Sequence, residues 1–347
     1  MLLIGGAIAI LVAAGALYQL IGVRADARAY GAPGRMIDVD GQRLHVVCAG
    51  TGDPLVLFES GIAASSVSWT SVLRDVAAFT RACAYDRAGF GWSAPARAPR
   101  TVDRMLRELR AVATADDSAP AVLVGHSFGA LLVCAYASRR AADVAGLVLL
   151  DPPSEWQRVT RERSRTLRGG ILLSRIGGLL ARVGVVRACL ALLTGGAPAV
   201  PRHVVRVFGP RAARTLERLV GEVRKLPADL HPIVKSRWCD PKCFRAMAEH
   251  FAALEETAAV VSAITALPHV PLIVISSGDQ PAEVLGAHER LAALSPAGRH
   301  LVAPQSGHWI QFDAPELVVA TIREIVDRAR RARPFHDRAS SVHAPSV

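Results

Sequence analysis

The chain has 347 residues, 51% of them hydrophobic, and its 41 Lys and Arg against 30 Asp and Glu give a net charge of +11. That length and apolar content exclude a disordered chain or a small disulfide-stapled module, and they fit one large domain carrying an insertion. The charge alone would admit a nucleic-acid partner, but the arginines are scattered and no recognition module or aromatic platform accompanies them, so none is expected. Attraction to anionic headgroups, or simply a solvated arginine-rich surface, accounts for the charge.

Residues 1–23 contain no charged side chain and match the roughly 20 apolar residues that cross a bilayer as a helix. A cleaved signal peptide would need a basic leading region, which is absent, and Ala25-Asp26-Ala27 is a poor cleavage site. The expectation is a single-pass N-terminal anchor with membrane lipid as its partner, followed by a linker over 24–34. Arg24, Arg28 and Arg35 against Asp26 point the domain to the cytoplasm by the positive-inside bias, on few charges. The six cysteines show no disulfide framework, and most of them read as packing residues. Cys239 and Cys243 lack a second pair at ligand spacing, so no metal is expected.

Two alternating runs over 36–48 meet at Asp40-Gly41, a dipeptide suited to a type I′ hairpin. Residues 54–58 form a continuous apolar run, as in a strand buried on both faces. A helical pattern runs through Trp69, Val72, Leu73, Val76 and Phe79, and a short strand covers 81–85. A glycine-bearing loop follows over 86–93, where Asp86 and Arg87 are read as tying loops together. Residues 101–114 are an amphipathic helix. Strands at 121–125 and 145–150 complete an alternation that predicts an α/β class: a mostly parallel central sheet over 35–152 with helices on both faces.

From 153 to 268 only helical stretches appear, which reads as a helical lid inserted after the sixth strand. Its apolar part, 171–193, contains Arg175, Arg182 and Arg187; these disfavour a second span and suit an amphipathic helix resting on a membrane surface. The alternation resumes over 269–331 with strands at 271–276 and 299–302 and helices at 281–294 and from 315. Residues 332–347 form a basic, proline-containing tail expected to be disordered.

The chemistry centres on Ser127, which lies between Gly125 and Gly129 where an apolar strand runs into a helix. Missing side chains on either side let the backbone turn sharply and expose the hydroxyl, and the next N–H, of Phe128, lies at a helix N-terminus where an oxyanion is stabilised. A serine needs a base. His308, in the loop after the last strand, is the choice, because that loop returns over the elbow. The acid that orients the imidazole must end a neighbouring strand: Asp279 is preferred, with Asp151 as the alternative. The second oxyanion donor is assigned to the backbone N–H of Ile62, after Gly61 in the loop following the strand at 54–58.

Over about residues 36–330 the chain resembles the α/β-hydrolase superfamily, and in particular bacterial membrane-anchored members. The resemblance rests on the N-terminal apolar helix, Tyr85-Asp-Arg-Ala-Gly-Phe-Gly-Trp-Ser93, Gly125-His-Ser-Phe-Gly129 and Ser306-Gly-His-Trp-Ile310. It implies a serine hydrolase working through an acyl-enzyme without a cofactor, with Ile62 and Phe128 as the oxyanion hole. Two departures stand out: Ser60-Gly61 replaces the usual His-Gly, and the acid motif is shortened to Gly278-Asp279. Dehalogenases and epoxide hydrolases of the superfamily attack with a carboxylate, so Ser127 points to ester, thioester, amide or carbon–carbon bond hydrolysis. An apolar ester is preferred because of the apolar lid and the anchor. A non-catalytic ligand-binding module and a membrane-surface scaffold are the competing readings.

Overall fold

The computed structural model describes residues 2–97, 99–115, 120–153, 161–194 and 223–332. The expected tail from 333 onward, and the stretches of the insertion at 154–160 and 195–222, lie outside the described residues.

The chain builds one eight-stranded sheet. β1 (Arg35–Val39) and β2 (Gln42–Ala49) form the expected hairpin, with positive φ at both Asp40 (53°) and Gly41 (71°) as a type I′ turn requires. The other strands are β3 (Val56–Glu59), β4 (Ala82–Tyr85), β5 (Ala121–His126), β6 (Val144–Leu150), β7 (Leu272–Ser277) and β8 (Gly298–Ala303). Their spatial order is β1-β2-β4-β3-β5-β6-β7-β8, and only β2 runs against the rest. Parallel strands need crossovers, and the crossovers place helices on both faces.

The two-residue period of the strands divides the core into two layers. Leu57, Leu123 and Leu147 face the side covered by the helices Val102–Ala113 and Phe128–Arg139, whereas Val56, Val122 and Val148 face Thr70–Val76 and Pro315–Ala332. Burial on both sides explains why these strands read as unbroken apolar runs. The helix Val102–Ala113 starts where the sequence places it, because the Thr101 hydroxyl accepts from the Arg104 N–H at 3.3 Å.

Between β6 and β7 the described residues contain helices and no strand: Arg161–Arg182, Val185–Thr194, His231–Trp238 and Pro241–Ser262. At the N-terminus the apolar helix runs past Val23 and covers Leu2–Ala29, so most of the stretch read as a linker is helical.

The reading of the cysteines is also corrected. Cys48 and Cys83 are directly opposite in the β2–β4 register and form a disulfide, while Cys134, Cys189, Cys239 and Cys243 are free thiols. Sequence spacing could not reveal this, because β4 reaches β2 only through the sheet's out-of-order pairing. When the full chain is denatured without reductant, intact-mass analysis should therefore find four alkylated cysteines, and six after reduction.

Candidate active site

The site gathers at the carboxyl ends of the parallel strands, where each strand delivers one loop. β5 ends at His126 and the helix Phe128–Arg139 starts one residue later, leaving Ser127 alone in the turn at φ 54° and ψ −123°. This conformation is strained for a residue with a side chain. The flanking glycines are required by space: a Cβ on Gly129 would sit 2.4 Å from the Glu59 carbonyl oxygen, and one on Gly125 would sit 2.6 Å from Ala130 Cα. The Ser127 N–H donates to the Leu150 carbonyl at 2.8 Å, which ties the turn to the end of β6.

The loop after β3 lies against the serine, since a Cβ on Gly61 would come within 3.3 Å of Ser127 Cβ. Arg87, fully buried, holds this loop. Its guanidinium donates to the Glu59 carboxylate, to the Ser60 carbonyl, to the Gly61 carbonyl at 2.6 Å and to His250 Nε2 at 3.1 Å. A trans peptide is planar with C=O and N–H opposed, so drawing the Gly61 carbonyl toward Arg87 turns the Ile62 N–H away from it. Phe128 occupies the first turn of its helix, where N–H groups have no intrahelical acceptor. Burial raises the Glu59 carboxyl above its ordinary value, opposed by the charge of Arg87 and the hydroxyl of Tyr85. Asp86 organises the same loop differently, accepting from His45, from the Ser66 N–H at 2.7 Å and from the Trp92 N–H at 2.9 Å. Both residues tie loops together, as the sequence reading has it.

His308 lies in the loop after β8. His126, next to the serine, donates from Nε2 to the His308 carbonyl at 2.9 Å, and the two rings lie 4.7 Å apart. Burial, and then the nearness of His308, lowers His126 to about 3, so it is neutral and serves as a fixed strut for the loop. Among the described residues no hydrogen bond joins the Ser127 hydroxyl to His308. Catalytic hydrogen bonds are commonly long in unliganded sites and tighten when substrate binds.

The carboxylate against His308 is Asp151, not the preferred Asp279. His308 Nδ1 lies 2.7 Å from Asp151 Oδ2. The same carboxylate accepts from the Ser277 N–H at 3.1 Å and from Gln280 Nε2 at 2.9 Å. Burial raises the Asp151 carboxyl, but His308, the Ser277 N–H and Gln280 outweigh it and hold the group below its ordinary value. Asp279 is exposed and accepts from the Ser277 hydroxyl at 2.7 Å. The reason is the turn after β7: the Gly278 N–H pairs with the Ser306 carbonyl, and the chain leaves the sheet there with Asp279 facing outward. Asp151 instead ends β6, between β5 and β7, where donors converge. The sequence reading missed Ser277, Gln280 and His126; the only advance signal was that Ser277 and His126 end their strands and Gln280 lies in the turn after β7.

An apolar pocket beside the loop after β3 is lined by Ala63, Val67, Leu226, Val234, Trp238 and Trp309. Among the described residues no cluster of His, Cys, Asp and Glu could hold a metal ion.

A sequence profile described as "Alpha/beta hydrolase family" matches residues 55–321. The chain belongs to that family. Among curated relatives, the Uncharacterized protein YqjL of Bacillus subtilis is 38% identical over 104 residues, 30% of this chain and 41% of the relative. The Uncharacterized protein YbdG of the same organism is 27% identical over 151 residues, 42% of this chain and 46% of the relative. The chain thus spans less than half the length of these curated relatives. Among solved structures, a thermophilic esterase from Thermogutta terrifontis (TM-score 0.61, 20% identity) is covered over 99% of its length by 85% of this chain. The epoxide hydrolase CorEH (TM-score 0.62, 16% identity) is covered over 97% of its length by 84% of this chain. An enol-lactonase from Burkholderia xenovorans (TM-score 0.54, 16% identity) is covered over its full length by 84% of this chain. At these identities the likeness is one of fold.

The buried Arg87–Glu59 pair gives a stability test. Arg87→Met leaves a buried carboxylate without its partner and should destabilise the alpha/beta hydrolase domain by about 3–5 kcal/mol at neutral pH, read from chemical denaturation in detergent.

Proposed function

We propose that this hydrolase is a membrane-anchored serine esterase, acting on apolar carboxylic esters through an acyl-enzyme on Ser127. The observation that carries the reading is the bond between His308 Nδ1 and the buried Asp151, on a loop strutted to the residue next to Ser127. With Nδ1–H donated to Asp151, the imidazole keeps Nε2 free as the base. Ser127 Oγ attacks the acyl carbonyl while His308 takes its proton. The backbone N–H groups of Ile62 and Phe128 receive the oxyanion. His308 then protonates the departing alcohol. Water, deprotonated by His308, attacks the acyl-enzyme; the bond from Ser127 Oγ to the acyl carbon breaks, the acid leaves, and His308 returns its proton to Ser127 Oγ. Asp151 takes the orienting role that the sequence reading assigned to Asp279. No cofactor or metal enters these steps.

An apolar ester suits the lining of the pocket, whose Leu226, Val234 and Trp238 belong to the helical insertion, here given the role of a lid. The helix Leu2–Ala29 is long and apolar enough to cross a membrane and is assigned as the anchor. Disulfides persist in oxidising compartments, so Cys48–Cys83 supports a catalytic domain on the outer face of the membrane. This departs from the cytoplasmic side suggested by the few arginines after the helix.

Two tests follow. A fluorophosphonate probe should label the wild type and not Ser127→Ala. Asp151→Asn should lower kcat on p-nitrophenyl esters by about 10⁴-fold, the scale of a lost triad acid, whereas Asp279→Asn should stay within a few-fold of wild type. Equal losses in the two variants would remove Asp151 from its role. For orientation, protease added to intact spheroplasts of an expressing host should digest the domain, and protection from digestion would place it inside.

A further inference from the structure

The N-terminal helix does not stand apart from the domain. Gly15, Gln19, Gly22 and Asp26 recur at helical spacing on one face, and that face is docked on the insertion. A Cβ on Gly15 would lie 2.3 Å from the Val183 carbonyl oxygen, so the two backbones touch there. Gln19 Nε2 donates to the Cys239 carbonyl at 2.7 Å. Arg187 donates to Gln19 Oε1 at 3.0 Å and to Asp26 Oδ2 at 2.7 Å.

Depth follows from length. The residues ahead of the first contact, Leu2 to Ala14, extend about 20 Å at about 1.5 Å per residue. A bilayer's hydrocarbon core is about 30 Å thick. If the helix spans it, the remaining ~10 Å of hydrocarbon must lie alongside residues that are already packed on the insertion.

The surface of the insertion agrees with this placement. Leu172, Leu173, Ile176 and Leu179 form an exposed apolar stripe on the helix Arg161–Arg182, and Val185 and Leu192 extend exposed apolar surface onto the next helix, across a bend of 90°. Arg168, Arg175 and Arg182 repeat at seven-residue spacing along one edge of the stripe, all exposed. An apolar stripe edged by arginines is the pattern of a helix lying in the lipid interface, with guanidinium groups reaching the headgroups. Arg187 points the other way, into the anchor, where Asp26 and Gln19 satisfy it.

From these observations we infer that the helices Arg161–Arg182 and Val185–Thr194 are themselves seated in the leaflet from which the anchor emerges, with the Leu172–Leu179 stripe against acyl chains and the arginine edge at anionic headgroups. The inference rests on the anchor assignment made above. The lid is then a membrane-embedded surface, and its partner is an anionic lipid leaflet.

The test uses the full chain in vesicles of phosphatidylcholine and phosphatidylglycerol, with the exposed native thiol removed by Cys189→Ser. An environment-sensitive fluorophore is placed in turn at Leu173→Cys and Leu179→Cys on the stripe, Leu11→Cys in the anchor, and Ala142→Cys, an exposed turn residue before β6. The stripe labels should be quenched by shallow spin-labelled lipid and shielded from aqueous iodide, the Leu11 label by deep spin-labelled lipid, and the Ala142 label by iodide alone. If the Leu11 label is lipid-quenched while the stripe labels respond to iodide like Ala142, the anchor stands and the embedded lid is overturned. If Leu11 also responds only to iodide, the anchor assignment fails and takes this inference with it. Unchanged fluorophosphonate labelling of each variant shows that the fold has survived.

Discussion

The site depends on a single stretch of backbone held where a side-chain-bearing residue rarely goes. Ser127 at φ 54° carries strain of about 1–3 kcal/mol, and that strain persists only because the surroundings leave the chain no alternative. β5 is paired on both sides, with β3 and β6, and every residue of it is buried. The helix behind packs so closely that Gly129 meets the carbonyls of Glu59 and Ser60. Relaxing the turn would mean parting β5 from its neighbours, so the central strands hold the elbow in place.

The second constraint is electrostatic. Burying Arg87 with Glu59 is unfavourable by desolvation, and it is sustained because nearly every polar atom of the pair finds a partner: Tyr85, His250 and the carbonyls of Ser60 and Gly61. That arrangement spans the loop after β3, the loop after β4 and the helix Pro241–Ser262. The insertion and the loop after β3 are therefore joined through one guanidinium. Trp238 adds a second link, donating to the Ala63 carbonyl at 3.4 Å, and the neighbouring Cys239 carbonyl receives Gln19 from the N-terminal helix. A continuous chain of contacts thus runs from the apolar helix through the insertion to the loop beside Ser127.

Asp151 shows why a carboxylate's neighbours matter more than its position in the chain. Asp151 and Asp279 each follow a parallel strand, and on chain order either could serve. Asp151 sits between β5 and β7, where the Ser277 N–H, Gln280 and His308 converge on it. Asp279 sits beyond the Gly278–Ser306 pairing, in solvent. The convergence of donors makes one carboxylate a buried anion and leaves the other a surface turn residue.

Much of the molecule was legible from local pattern. The Asp40-Gly41 turn, the apolar runs of the sheet, the glycines around Ser127, the helical character of the insertion and the late-loop position of His308 all follow from rules acting over a few residues, so the amino-acid order alone carries them. The partner of His308, the Cys48–Cys83 bond, the grip of Arg87 on two carbonyls and the docking of Gln19 and Asp26 against the insertion were settled only in three dimensions. Each depends on which strands become neighbours and which way a turn leaves the sheet. Those outcomes come from packing the whole core at once, and no window of sequence contains them.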